Sequence, residues 1–314
     1  MFEALLWFGL GIVILLLGAD SFLKGASGLA LRFGISPFVV GLTIVGFGTS
    51  APELAVNLSA VWRDSTELAL GNVVGSNIAN VGLILGCCAL VAPLAVQLRM
   101  VRVEGPLMIG AALLLWVLCF DGELGRGDAL LLLIGFAAVM TYVARTAGDE
   151  SAEVQAEFGE HAGTQLKPPR NVVRLIVGLA ALVYGASEMV DAALILARLW
   201  GWSDLLIGLT VVAVGTSLPE LASSLLAVWR GQTDIAVGNV VGSNLFNILL
   251  ILGATASIEP LPVTGSMLRL ELPIMCGFMV LAYLVMGRKM RITRAEGGLM
   301  LLAFVGCTTW LALR

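Results

Sequence analysis

The sequence predicts an all-α integral membrane protein of ten transmembrane helices, arranged as two inverted five-helix repeats. Three observations carry that expectation. Of 314 residues, 59% are hydrophobic and 13% charged, whereas a soluble domain carries roughly 25% charged residues. Apolar runs of about the 20 residues needed to cross a bilayer recur along the whole chain. One long, polar-studded segment, residues 48–86, returns without a gap as residues 215–253.

Helices are the only sensible element, because backbone groups in lipid must be satisfied within their own segment. No period-2 alternation suggests a barrel. The apolar runs place spans at 2–18, 36–62, 67–92, 104–120 and 126–145 in the first half. The second half has spans at 171–197, 203–229, 235–258, 268–287 and 295–313. The first span has no Lys or Arg before it and no small-residue cleavage site, so it is read as a span and not as a signal peptide. It is glycine-rich at Gly9, Gly11 and Gly18, as the sixth is at Gly178 and Gly185. The second and seventh carry G-T-S-x-P-E; the third and eighth carry G-N-V-V-G-S-N. Residues 146–170 are acidic and polar, end in Pro168 and Pro169, and are read as a flexible loop joining halves 1–145 and 171–314.

Basic residues set the orientation. With the N-terminus outside, the cytoplasmic segments hold 13 of the 18 Lys and Arg residues, among them Lys24, Arg99, Arg145, Arg230 and Arg288. That bias places the loop inside and both termini outside. An odd number of spans per half then inserts the second half upside down, which is a transporter architecture with a midplane substrate site. The only histidine, His161, lies in the polar loop, which excludes a histidine-based zinc site or proton relay in the membrane. The five cysteines fall in apolar spans without C-x-x-C spacing and are read as small buried hydrophobes. There is no nucleophile–histidine pair, H-E-x-x-H or phosphate loop, so an enzyme is not expected.

The repeated segment matches itself at about two thirds of its positions. It places Glu53 and Glu220 well inside spans, where an ionised carboxylate costs about 3 kcal/mol or more unless a cation, donor or proton meets it. Thr49 and Ser50 precede Glu53 by four and three residues, as Thr216 and Ser217 precede Glu220. At helical spacing these oxygens share a face. Pro52 and Pro219 remove the bond to the carbonyl four residues back, so Gly48 and Gly215 carry free acceptors in a discontinuous helix. Gly46 adds a second breaker in the same turns. The next span of each half supplies Ser76 and Asn80, then Ser243 and Asn247, each pair at i, i+4. Gly71, Gly75, Gly238 and Gly242 allow close packing. This is an all-oxygen donor set, suited to Ca²⁺ and Na⁺ rather than to Zn²⁺ or Cu⁺. Asn72, Asn77, Asn239 and Asn244 also recur, either lining the site or cross-linking helices, the latter favoured. Asp20 is expected to pair with Lys24, Glu188 and Asp191 to pair or line a vestibule, and Glu104 and Glu271 to be interfacial.

The doubled G-T-S-x-P-E and G-N-x-x-G-S-N-x-x-N resemble the two alpha repeats of prokaryotic-type sodium/calcium exchangers in the cation/calcium exchanger superfamily. The resemblance implies an antiporter of the plasma (inner) membrane that exchanges Na⁺ for Ca²⁺ by alternating access, binds both ions as cargo, and needs no other cofactor. It implies no partner beyond the bilayer and those ions, neither nucleic acid nor an obligate protein. By motif position, Glu53 and Glu220 would be the central ligands, with oxygens from Thr49, Ser50, Thr216 and Ser217. Ser76 and Ser243 would complete outlying sodium sites, Gly46 and Ala213 would give carbonyls, and Asn80 and Asn247 would border the middle site. Many members carry Asp where this chain has Asn247, which leaves H⁺ or K⁺ dependence as the alternative. A cation channel is the reading from a different class; counterflow distinguishes it.

Overall fold

The computed structural model describes residues 1–33, 35, 37–62, 66–146, 168–200 and 213–313. The expected loop residues 147–167, with His161, and the first part of the expected span 203–229 lie outside them. The described chain is almost entirely helical. In order come α1 (Phe2–Phe33), α2 (Phe38–Trp62), α3 (Leu68–Val91), α4 (Met100–Asp121) and α5 (Arg126–Thr146). Then follow α6 (Pro168–Leu199), α7 (Leu218–Trp229), α8 (Thr233–Ile258), α9 (Met267–Lys289) and α10 (Arg294–Ala312). Among the described residues, eight helices are long and apolar enough to cross a membrane.

Burial runs in the sense a bilayer imposes. Large apolar side chains such as Leu17, Val117, Leu130 and Leu302 lie exposed on the outside. Glu53, Asn57, Asn80, Glu220, Asn239 and Asn247 are buried. The inner helix is α8, 94% of whose most apolar window is buried against 28% for α1.

The two longest helices, α1 and α6, pack against each other. Each has 32 residues, about 48 Å at 1.5 Å per residue. They run antiparallel: Gly11 meets the backbone of Met189, Gly18 that of Leu182 and Gly25 that of Leu175. A Cβ at Gly178 would lie 2.3 Å from the nitrogen of Phe22, so the two backbones touch where both helices lack side chains. Gly9 faces open space and is not part of the seam. The sequence places the end of the first span near residue 18, but α1 continues to Phe33. Two charges beyond residue 18 find partners within the chain: Lys24 Nζ pairs with Asp20 at 2.8 Å and Arg230 also pairs with Asp20, while Ser21 Oγ donates to the carbonyl of Arg174.

Glu104 departs from the interfacial expectation in the same way. It sits at the start of α4 but is wholly buried, held by Arg99 Nε at 2.6 Å. The Arg99 guanidinium also donates to the carbonyl and hydroxyl oxygens of Thr146 at the end of α5.

Four two-residue strands follow α3, α4, α8 and α9: β1 (Leu94–Ala95), β2 (Glu123–Leu124), β3 (Leu261–Pro262) and β4 (Arg291–Ile292). β1 pairs antiparallel with β4 and β2 with β3, so each pairing joins the two halves.

The four repeat glycines do not behave alike. A Cβ at Gly238 or Gly242 would strike the carbonyl oxygen of Phe38 or Leu42, so α2 packs backbone to backbone on α8. Among the described residues nothing lies within 4 Å of a Cβ at Gly71 or Gly75. The segment equivalent to the start of α2 falls among the residues not described.

Candidate cation site

Both motif helices break where the prolines demand it. In α2 the helix is interrupted at Ser50, with φ −82° and ψ 3°. Before α7 the interruption is at Thr216 and Ser217, the latter with φ −89° and ψ 7°. Pro52 and Pro219 have no N–H to return to Gly48 and Gly215. Gly46, expected to help break the helix, keeps helical angles of −57° and −47°. The kink is therefore set by Ser50 and Pro52. Widened turns, which the sequence does not reveal, recur in these helices. Residues Gly41–Val45, just before the break in α2, form π-helix, as do Asn80–Leu85, Phe246–Leu252, Met100–Glu104 and Met267–Glu271. Such turns often mark functional sites.

The breaks bring the two halves' polar groups together. Ser50 Oγ donates to Glu220 Oε1 at 3.2 Å, across the halves. Glu53 and Glu220 are both buried and close enough to interact electrostatically. Thr49 Oγ1 lies 3.0 Å from the carbonyl oxygen of Val45 and 3.1 Å from Asn239 Oδ1. Asn239 Nδ2 donates to Ser224 Oγ at 2.8 Å, tying α8 to α7. Ser243 Oγ approaches the carbonyl of Gly46 at 3.4 Å.

The asparagines form mirrored bridges. Asn80 Nδ2 donates to Asn244 Oδ1 at 3.0 Å, and Asn247 Nδ2 donates to Asn77 Oδ1 at 3.2 Å. The cross-linking expected of Asn77 and Asn244 is thus present. Asn72 Nδ2 donates to Asn57 Oδ1 at 2.9 Å. Asn57 is a residue the sequence reading does not single out. The signal is there, since it and Ser224 are polar at equivalent positions one turn past the glutamates.

Nine buried side-chain oxygens have no hydrogen-bond partner among the described residues. Six belong to residues marked as candidate ligands by the repeat, Glu53 Oε2, Ser76 Oγ, Asn80 Oδ1, Ser217 Oγ, Glu220 Oε2 and Asn247 Oδ1; the other three are Glu104 Oε2, Gln232 Oε1 and Glu271 Oε2. Thr216 borders a cavity of about 290 Å³ together with Pro52, Val56, Ser187, Asp191 and Pro219. Asp191 therefore faces that cavity, while Glu188 lies near Tyr184 one turn before it on α6. Ala213 is helical.

The family model described as sodium/calcium exchanger protein matches residues 3–145 and 170–313. This chain belongs to the sodium/calcium exchanger family. It is 35% identical to the sodium/calcium exchanger MaX1 of Methanosarcina acetivorans, over 94% of this chain and 95% of that protein. It is 38% identical to the inner membrane protein YrbG of Escherichia coli, over 80% and 78%. Among solved structures, the sodium-calcium exchanger NCX_Mj soaked with zero Na⁺ and Ca²⁺ superposes with a TM-score of 0.84, at 29% identity, covering 98% of both chains. The chain is thus a multi-pass membrane protein of a transporter family.

Proposed function

We propose that this protein is a secondary active antiporter that exchanges Na⁺ for Ca²⁺ by alternating access. The observation that carries the reading is the set of six unpartnered buried oxygens, each from a residue repeated in both halves. Leaving such groups unpaired in a dry interior costs about 1–3 kcal/mol each, more when charged. A hard cation removes that cost, and oxygen donors suit Ca²⁺ and Na⁺. Two carboxylates neutralise one Ca²⁺, and Ser50 occupies one oxygen of Glu220 so that the other is left for the ion. Either cation can use the same oxygens, so the loaded site is cheap to move through the protein and the empty one is not. That difference couples the two fluxes.

The carry-over proposes Glu53 and Glu220 as central ligands. Thr49, Ser50, Ser76, Asn80, Thr216, Ser217, Ser243 and Asn247 supply further oxygens, and Gly46 and Ala213 supply carbonyls. The cavity beside Asp191 would serve as the outer vestibule.

Ten crossings in two inverted halves account for several contacts at once. α1 and α6 occupy the same place in each half and run antiparallel. β1 and β4 share a membrane face only if the number of crossings between them is even; so do β2 and β3. The described part of α7 has 12 residues, about 18 Å. Counting residues 203–229 as one crossing satisfies both pairings, with six and four crossings between partners. The family likeness to an inner membrane protein and the basic-residue bias support a plasma (inner) membrane location with both termini outside. A cysteine at position 155, in a cysteine-free background, should then resist impermeant thiol reagents on intact cells and react after permeabilisation. Rapid labelling from outside contradicts the topology.

The exchange itself is tested in proteoliposomes. Ca²⁺ uptake should require an outward Na⁺ gradient and should collapse when Na⁺ is equilibrated. Uptake driven by a pH gradient without Na⁺ would favour H⁺/Ca²⁺ exchange on the same fold.

A further inference from the structure

As proposed ligands, Asn80 and Asn247 meet the ion, but a carboxamide has two unlike ends. Only its oxygen attracts a cation; its NH₂ repels one. Which end faces the site must therefore be decided by whatever holds the other end. In both halves that partner is a second buried asparagine from the opposite half. Asn247 Nδ2 donates to Asn77 Oδ1, and Asn77 Nδ2 in turn points at Met275 Sδ, 3.7 Å away. Asn80 Nδ2 donates to Asn244 Oδ1, and Asn244 Nδ2 points at Met108 Sδ, 3.5 Å away. Sulfur is a weak acceptor and not a donor in methionine. Each methionine therefore fixes its asparagine with NH₂ outward to sulfur and oxygen inward. That oxygen fixes the NH₂ of Asn247 or Asn80, and the remaining oxygen of each, Oδ1, is left without a protein partner among the described residues.

We propose that Asn77 and Asn244, backed by Met275 and Met108, are positioning residues that hold the Asn247 and Asn80 carboxamide oxygens toward the transported cation. The inference rests on the exchange reading of this site. The relay is reciprocal: a side chain of each half orients a ligand of the other, so neither half presents its amide oxygen correctly without its mate. Asn77 and Asn244 act through hydrogen bonds only and need not touch the ion.

The test is radiolabelled Ca²⁺ binding to the purified full-length protein in detergent. Asn77→Ala should weaken binding about tenfold, as loss of an orienting partner around a metal does. Asn244→Ala should do the same through Asn80. The discriminating arm repeats Asn77→Ala in an Asn247→Asp background at alkaline pH. A carboxylate presents an oxygen whichever way it turns, so the further loss there should fall to about twofold or less. Equal losses in both backgrounds, or none in the parent, overturn the proposal. Met275→Leu, close to isosteric, gives an independent arm: a smaller loss in the parent that vanishes beside Asn247→Asp supports the relay, and an unchanged affinity in the parent overturns it. Absence of Ca²⁺ binding in the parent would overturn the exchange reading together with this one, whereas normal parent binding with insensitive variants removes the relay alone.

Discussion

Glu53→Gln and Glu220→Gln are each expected to abolish Na⁺-driven Ca²⁺ uptake, with initial rates down about a hundredfold or more, while the protein stays folded. Both side chains are essentially buried, and each has one carboxylate oxygen without a protein partner among the described residues. Removing one member of a buried charge pairing costs about 3–5 kcal/mol, and every 1.4 kcal/mol is about tenfold in affinity. At Glu220 the geometry sharpens the expectation. Ser50 Oγ donates to Oε1, and the carboxamide that Glu220→Gln introduces has one oxygen for the two places the carboxylate filled. With that oxygen toward Ser50 the variant offers the cation an NH₂; with the amide reversed it offers a neutral oxygen in place of a charged one. Folding should survive, because neutralising a buried carboxylate removes a cost rather than a bond. The separable signature is thermal: Ca²⁺ should raise the melting midpoint of the parent by mass action and leave the variants unmoved. Near-normal uptake by both purified variants would remove the central claim.

Asn247 carries the second large effect, and its two substitutions should part company. Asn247→Leu removes the unpartnered oxygen with no substitute, and Na⁺-driven exchange should fall by at least about tenfold. Asn247→Asp keeps an oxygen and adds a third acid beside Glu53 and Glu220. Three like charges in one low-dielectric site cannot all ionise readily, so protons should compete with cations. Ca²⁺ flux in the Asp variant should then rise with pH across the neutral to mildly alkaline range, where the parent stays flat. Superimposable profiles would mean that Asn247 does not border the ion site.

The burial and convergence of Glu53 and Glu220 were legible because a carboxylate deep in an apolar span is costly unless it faces the protein interior, and because each occurs in both copies of the repeat. The helix break was legible from Pro52 and Pro219, although its pivot is Ser50 and not Gly46. What the sequence concealed depends on rotation and on contacts between halves. Asn77 and Asn244 could be suspected as cross-links, but their partners Met275 and Met108 read as ordinary apolar residues. The π-helical turns leave composition unchanged and so leave no trace in hydropathy. Asp20 and Lys24 resembled the end of a span, and Glu104 an interfacial residue, because charge looks like a boundary until its partner is found at Arg230 or Arg99.

The strand pairs make each half depend on the other. β1 hydrogen-bonds β4 and β2 hydrogen-bonds β3, so each strand made by one half finds its mate in the other. A five-helix piece on its own would expose a two-residue edge at each membrane surface and a carboxamide donor without its acceptor. Two copies inserted in opposite senses would satisfy all of these at once. Under the proposed inverted arrangement the molecule amounts to a dimer whose two subunits share one polypeptide.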